Sequence, residues 1–93
     1  MTPWALIVHV QSGTRPGLVE RVGRIFADRG LSLSALLATT RGDTSLLVLC
    51  FTSSEPLRDY LVRRLSRIDE VHKIEVRADD GRPPWAHLEL SQH

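Results

Sequence analysis

The chain of 93 residues has one cysteine, few aromatics and no long apolar run, and each scarcity excludes a class of protein. Cys50 cannot close a disulfide within the chain, and its place in the run SLLVLCFTS reads as a buried, reduced thiol. That usage fits a reducing cytoplasm. Aromatic residues make up 5%, and the same run lacks the basic-aromatic pattern with which RNA-binding sheets stack bases. Twelve basic against eleven acidic residues leave a formal charge of +1, so no global field draws the chain to nucleic acid or an anionic membrane. No apolar stretch approaches the ~20 residues of a membrane span. The N-terminus MTPWALIVHV lacks the basic segment of a secretory signal. The expectation is a cytoplasmic protein with no nucleic-acid and no membrane partner.

Catalytic motifs are missing as well. HExxH, CxxC and GxSxG do not occur, and His9, His72, His87 and His93 read as surface or sheet-face residues. Small metal chaperones of related topology need paired cysteines in the first loop, and here that loop has no thiol. We expect no catalytic residue, no metal site and no cofactor in this chain, and therefore no enzyme activity of its own.

What is present is an ordinary globular composition, 42% hydrophobic and 25% charged. A chain of this length forms one core and buries roughly 60 to 68% of its unfolded surface. Trp4, Leu6, Val8 and Val10 alternate with Ala5, Ile7 and His9, the period of a strand. Leu18, Val22, Ile25, Phe26 and Arg29 then recur at helical spacing, which predicts a helix from about Pro16 to Arg29. Pro16 suits its first position and Gly30 its left-handed end. LSLSALLATT, from Leu31, and the apolar run from Ser45 to Ser53 read as a hairpin around Gly42. Glu55 to Ile68 carries Leu57, Tyr60, Leu61, Leu65 and Ile68 on one face, with Ser54 or Glu55 as a cap. Val71 to Arg77 alternates again as a last strand.

This order predicts an α+β, ferredoxin-like βαββαβ sandwich over residues 1–77, an antiparallel sheet with both helices on one face. The crossover rule puts the first and third strands in the middle. Two helices cover one sheet face, so Ile7, His9 and half of the third strand need another cover, and a homodimer is expected. Residues 78–93 read as a C-terminal tail after the Asp80-Gly81 turn signal. Trp85 to Leu90 is a candidate for a short extra strand or for a segment ordered by a partner.

Two features remain. Arg58, Arg63, Arg64 and Arg67 form a cluster on the second helix, read as a solvated face and at most a docking site. SGTRPGL, Ser12 to Leu18, concentrates turn residues where a strand enters a helix. A helix start offers unpaired N–H groups to a carboxylate, and Gly17 removes a Cβ that would keep a ligand from the backbone. Any tight strand-to-helix turn uses Gly and Pro as well, so the loop alone leaves structure and binding both open.

TRPGLVERVGRIFADRGLSLSAL, Thr14 to Leu36, resembles the opening of an ACT domain, a regulatory module that binds amino acids and other small metabolites. Together with LRDYLVRRLSRIDEVHKIEV, Leu57 to Val76, it is most similar to the regulatory small subunit of acetohydroxyacid (acetolactate) synthase, in its short single-domain form. The resemblance implies a non-catalytic partner of the large catalytic subunit in branched-chain amino acid biosynthesis. Thiamine diphosphate, magnesium and FAD would belong to that partner. It also implies a homodimer through the edge of the second strand. An effector, typically valine, would lie between Thr14, Pro16, Gly17 and Leu18 of one chain and Ser32 and Leu33 of the other. Valine-sensitive members carry asparagine where this chain has Thr14 and Ser32, and a hydroxyl is shorter than an amide and offers a different donor set. A stand-alone amino-acid sensor of another pathway, and a pure assembly module without a ligand, are the alternative readings.

Overall fold

The computed structural model describes residues 1–11 and 17–91. The elements follow in the order β1 (Thr2–Gln11), α1 (Leu18–Ala27), β2 (Ala35–Arg41), β3 (Thr44–Ser53), α2 (Glu55–Ser66), β4 (Val71–Ala78) and α3 (Pro84–Ser91). All strand pairs are antiparallel, in the order β2-β3-β1-β4, so the two most apolar strands are central and β2 and β4 form the edges. This is the expected ferredoxin-like plan with α1 and α2 on one face.

The period-two pattern of β1 sorts its side chains between two cores. Trp4, Leu6, Val8 and Val10 join Val22, Phe26, Leu49, Leu61 and Leu65 beneath the helices. Phe26 meets Phe51 edge to face, with centroids 5.0 Å apart. Ala5 and Ile7 point the other way, with Leu46, Val48 and Cys50. A strand whose neighbours lie on both sides and whose two faces are both covered has no position for a polar residue, which is why β3 is apolar from Leu46 to Phe51.

That second core brings a correction. The expected extra strand at Trp85 to Leu90 is instead the helix α3, whose Leu88 packs on Ala5, Ile7, Leu46, Val48 and Cys50. Pro84 opens the helix, where its missing N–H costs nothing, and the buried residues His87 and Leu88 follow one turn later. The outer face, expected to need a partner, is therefore covered in part by the chain's own tail.

A second difference concerns β2, which begins at Ala35 rather than Leu31. Gly30, at φ +68°, closes α1 as the left-handed residue. Its N–H goes to Ala27 O, and that of Leu31 goes to Phe26 O. Leu31 and Leu33 then pack on the inner core without strand pairing. The chain first meets β3 at Ser34, whose N–H and hydroxyl both donate to the Cys50 carbonyl, at 2.8 and 3.1 Å. At α2, Ser54 caps the helix, its Oγ accepting from Leu57 N at 3.3 Å.

Candidate functional site

The start of α1 differs from that of α2 in what satisfies it. Gly17 occupies the N-cap with φ +93° and ψ 3°, a backbone that side chains rarely adopt, and it has no side chain to cap the first turn. Its carbonyl accepts from Arg21 N at 2.9 Å. A Cβ built at Gly17 would meet nothing within 4 Å among the described residues.

Beside this helix start lies an open cavity of about 510 Å³. Gly17, Leu18 and Glu20 form one side, and Val10, Ala38, Thr40 and Ser45 belong to the other. The register explains the assembly: Val10 lies opposite Ser45, and Ser45 opposite Thr40, so these residues line up across three strands on the helix side of the sheet. The helices leave the β2 end of that face open, where Leu36 is 39% exposed and Val19 45%. Thr40 Oγ1 and Ser45 Oγ share a hydrogen bond of 3.0 Å. The cavity thus offers first-turn N–H groups, apolar walls, hydroxyl oxygens and the Glu20 carboxylate. That combination suits a small zwitterion with an apolar side chain.

Gly17 and Leu18, expected from the sequence, line this cavity. Thr14 and Pro16 lie outside the described residues. Ser32 and Leu33 precede β2, at the end away from Thr40, about 20 Å along a strand of this length. One protomer does not bring them to Gly17. Ala38, Thr40 and Ser45 were not singled out from the sequence. Their signal is only that β2 loses bulk at its end, and which helix would lie there is set by the tertiary fold.

Other chemistry-bearing groups are paired or buried for structural ends. His9 Nε2 lies 2.6 Å from Glu75 Oε2, and Arg77 Nη2 donates to Glu75 Oε1 at 2.8 Å. Burial works to raise the Glu75 carboxyl, but the hydrogen bonds from His9 and Arg77 outweigh it and hold the group below its usual range. His72 is exposed and His93 lies outside the described residues. His87, expected at the surface, is buried under α3, 3.7 Å from Asp79 Oδ1. Burial, and then the nearby Asp79 carboxylate, push the Cys50 thiol up to about 11, so it is protonated and unsuited to nucleophilic attack. Among the described residues no group of three or more His, Cys, Asp or Glu could hold a metal ion. No described helix is long and apolar enough to cross a membrane.

No protein-family model matches the sequence, and no curated protein matches it. Solved structures do match the fold. The C-terminal domain of the MgtC protein from Mycobacterium tuberculosis aligns with TM-score 0.73 and 14% identity over 89% of this chain and 93% of that one. The ACT domain of the GTP pyrophosphokinase of Chlorobium tepidum aligns with TM-score 0.68 and 7% identity, over 87% and 91%. The regulatory subunit of aspartate kinase from Thermus thermophilus aligns with TM-score 0.61 and 12% identity over 84% of this chain and 51% of that one. At identities this low the matches show a shared fold alone, one that the ACT domain of the GTP pyrophosphokinase also has.

Proposed function

We propose that this chain is a non-catalytic regulatory module that binds an amino-acid effector between two copies of itself. Its target would be a separate enzyme, the thiamine-diphosphate-dependent large subunit of acetohydroxyacid synthase being the partner selected by the sequence resemblance. The observation that carries the reading is the half-built cavity at the start of α1 beside an unpaired strand edge. A two-fold pairing of antiparallel β2 edges would lay the end of one β2 against the start of the other. Ser32 and Leu33 of the second copy would then approach Gly17 and Leu18 of the first and close the cavity. First-turn N–H groups would hold the effector's carboxylate. Hydroxyls and Glu20 would hold its ammonium, and leucines its apolar end. The likeness to an ACT domain and to a regulatory subunit supports a regulatory role.

Regulation then follows from linkage. A module that binds the active arrangement of the enzyme more tightly raises its population, and the effector opposes this only by binding the two states unequally. The test is co-purification with the large subunit, an activity assay with and without this chain, and calorimetry with valine, leucine and isoleucine. Saturable heat from one of them, lost in Gly17→Val, together with raised activity of the large subunit, is expected. Ligand binding without association would favour a stand-alone sensor. Dimerisation without binding or association would leave a pure assembly module and overturn the proposal.

A further inference from the structure

The arginines of α2 do not form a solvated face alone. Arg64 and Arg67 line an open groove of about 520 Å³ whose other wall is α1, with Arg21 and Arg24. Ile25 and Ile68 supply its apolar part, and Asp28 and Asp69 also line it. Their charges are unevenly matched. Arg21 donates to Glu70 Oε2, and Arg64 donates to the neutral Tyr60 hydroxyl at 2.9 Å. The side chains of Arg24 and Arg67 have no hydrogen bond or ion pair among the described residues.

Helix dipoles account for part of this grouping: Arg24 lies in the last turn of α1, Arg64 in the last turn of α2 and Arg67 at the C-cap of α2, where positive charge complements the negative helix end. Arg63 complements the end of α2 from the exposed side, outside the groove. Arg21 stands near the start of α1, where positive charge is unfavourable. Four arginines lining one groove from α1 and from α2 with its C-cap, two of them with unpaired side chains, suit a dianion with several acceptor oxygens, since each planar fork can donate two parallel hydrogen bonds. The isoleucines suit a carbon framework, and the two carboxylates suit hydroxyl donors on it.

We propose that the groove between α1 and α2 binds an organic phosphate bearing hydroxyl groups, the chemistry shared by sugar phosphates and nucleotides. It would be a second ligand site, on the helical face and apart from the cavity at Gly17.

Heteronuclear NMR titration of the full chain tests it with ribose phosphate, adenosine monophosphate, ribose and inorganic pyrophosphate as probes. Saturable shifts confined to residues 21–28 and 64–69 are expected with both organic phosphates, weakening as salt screens the contact. Tighter binding of adenosine monophosphate would assign a nucleotide, and equal binding a sugar phosphate. Ribose alone should bind at least about tenfold more weakly, and the double variant Arg24→Gln/Arg67→Gln should lose about 100-fold, at roughly tenfold per charged contact. Arg63→Gln should change nothing. Asp28→Asn should strengthen pyrophosphate while weakening ribose phosphate. The spectrum of each variant shows whether it is folded. Absence of saturable shifts, shifts centred on Gly17, or equal losses in Arg63→Gln and the double variant would overturn the proposal. Valine would instead move Gly17 to Glu20, so the two sites fail separately.

Discussion

Leu88→Ala probes the docking of α3, and the chain carries its own reporter, since its single cysteine lies beneath that helix. Leu88 is 7% exposed and contacts the outer core that includes Cys50. Truncation removes three carbons, and at about 0.8 kcal/mol for each buried one the loss is about 2 kcal/mol. At 1.4 kcal/mol per tenfold, undocking becomes roughly 30-fold more frequent.

The thiol reads this out through its chemistry. Docked, it is held near 11, so at about pH 8 roughly one thiol in a thousand is ionised, against about a quarter for a free cysteine. Modification therefore proceeds through the open form, and its rate follows the open population. A disulfide reagent in excess should label Leu88→Ala roughly 30-fold faster than the parent, with a smaller change in the denaturation midpoint. Leu61→Ala, in the inner core, should lower that midpoint more, by an amount corresponding to about 2–5 kcal/mol of unfolding free energy. Ionisation itself opposes docking. The buried thiol has the higher pKa, so its contribution is whole below about pH 8.5 and is lost as pH rises toward about 11. A labelling rate for Leu88→Ala within twofold of the parent would refute the reasoning, since α3 would then not be what shields Cys50.

Ser54→Ala should cost about 1 kcal/mol by removing the cap on Leu57 N, read as a fall in melting temperature of about 4–8 °C. Glu75 is held below its usual range by His9 and Arg77 despite its burial. Its contribution is therefore present above the ordinary carboxylate range and lost as pH falls through the folded value, and Glu75→Gln should flatten that acid limb in denaturant titrations. Tyr60 is the single tyrosine, and the guanidinium of Arg29, 3.9 Å over its ring centroid, and then Arg64, which donates to its hydroxyl, lower its phenol pKa. Arg29→Gln should move its ionisation, followed by near-ultraviolet absorbance, back up toward the ordinary phenol range.

The parts of the fold that could be read from the sequence are those whose periodicity belongs to one element. The alternation in β1 names both cores correctly because each side chain's face is fixed by parity alone. α3 was hidden because its buried stripe is short and includes a histidine, His87, beside Leu88, so Ala86, Leu88 and Leu90 show only a false period of two. The same distinction governs the sites. Gly17 announces itself through turn chemistry, but Ala38, Thr40 and Ser45 join it only through strand register, a relation between elements. At the end of α2, spacing shows that Arg64 and the C-cap Arg67 share a side, yet nothing local says that Arg21 and Arg24 line the same groove from α1. Ser32 and Leu33 lie one step further out, because their meeting with Gly17 would be a relation between chains. Binding at the first cavity should therefore depend on protein concentration as the dimer does, and binding in the groove between α1 and α2 should not.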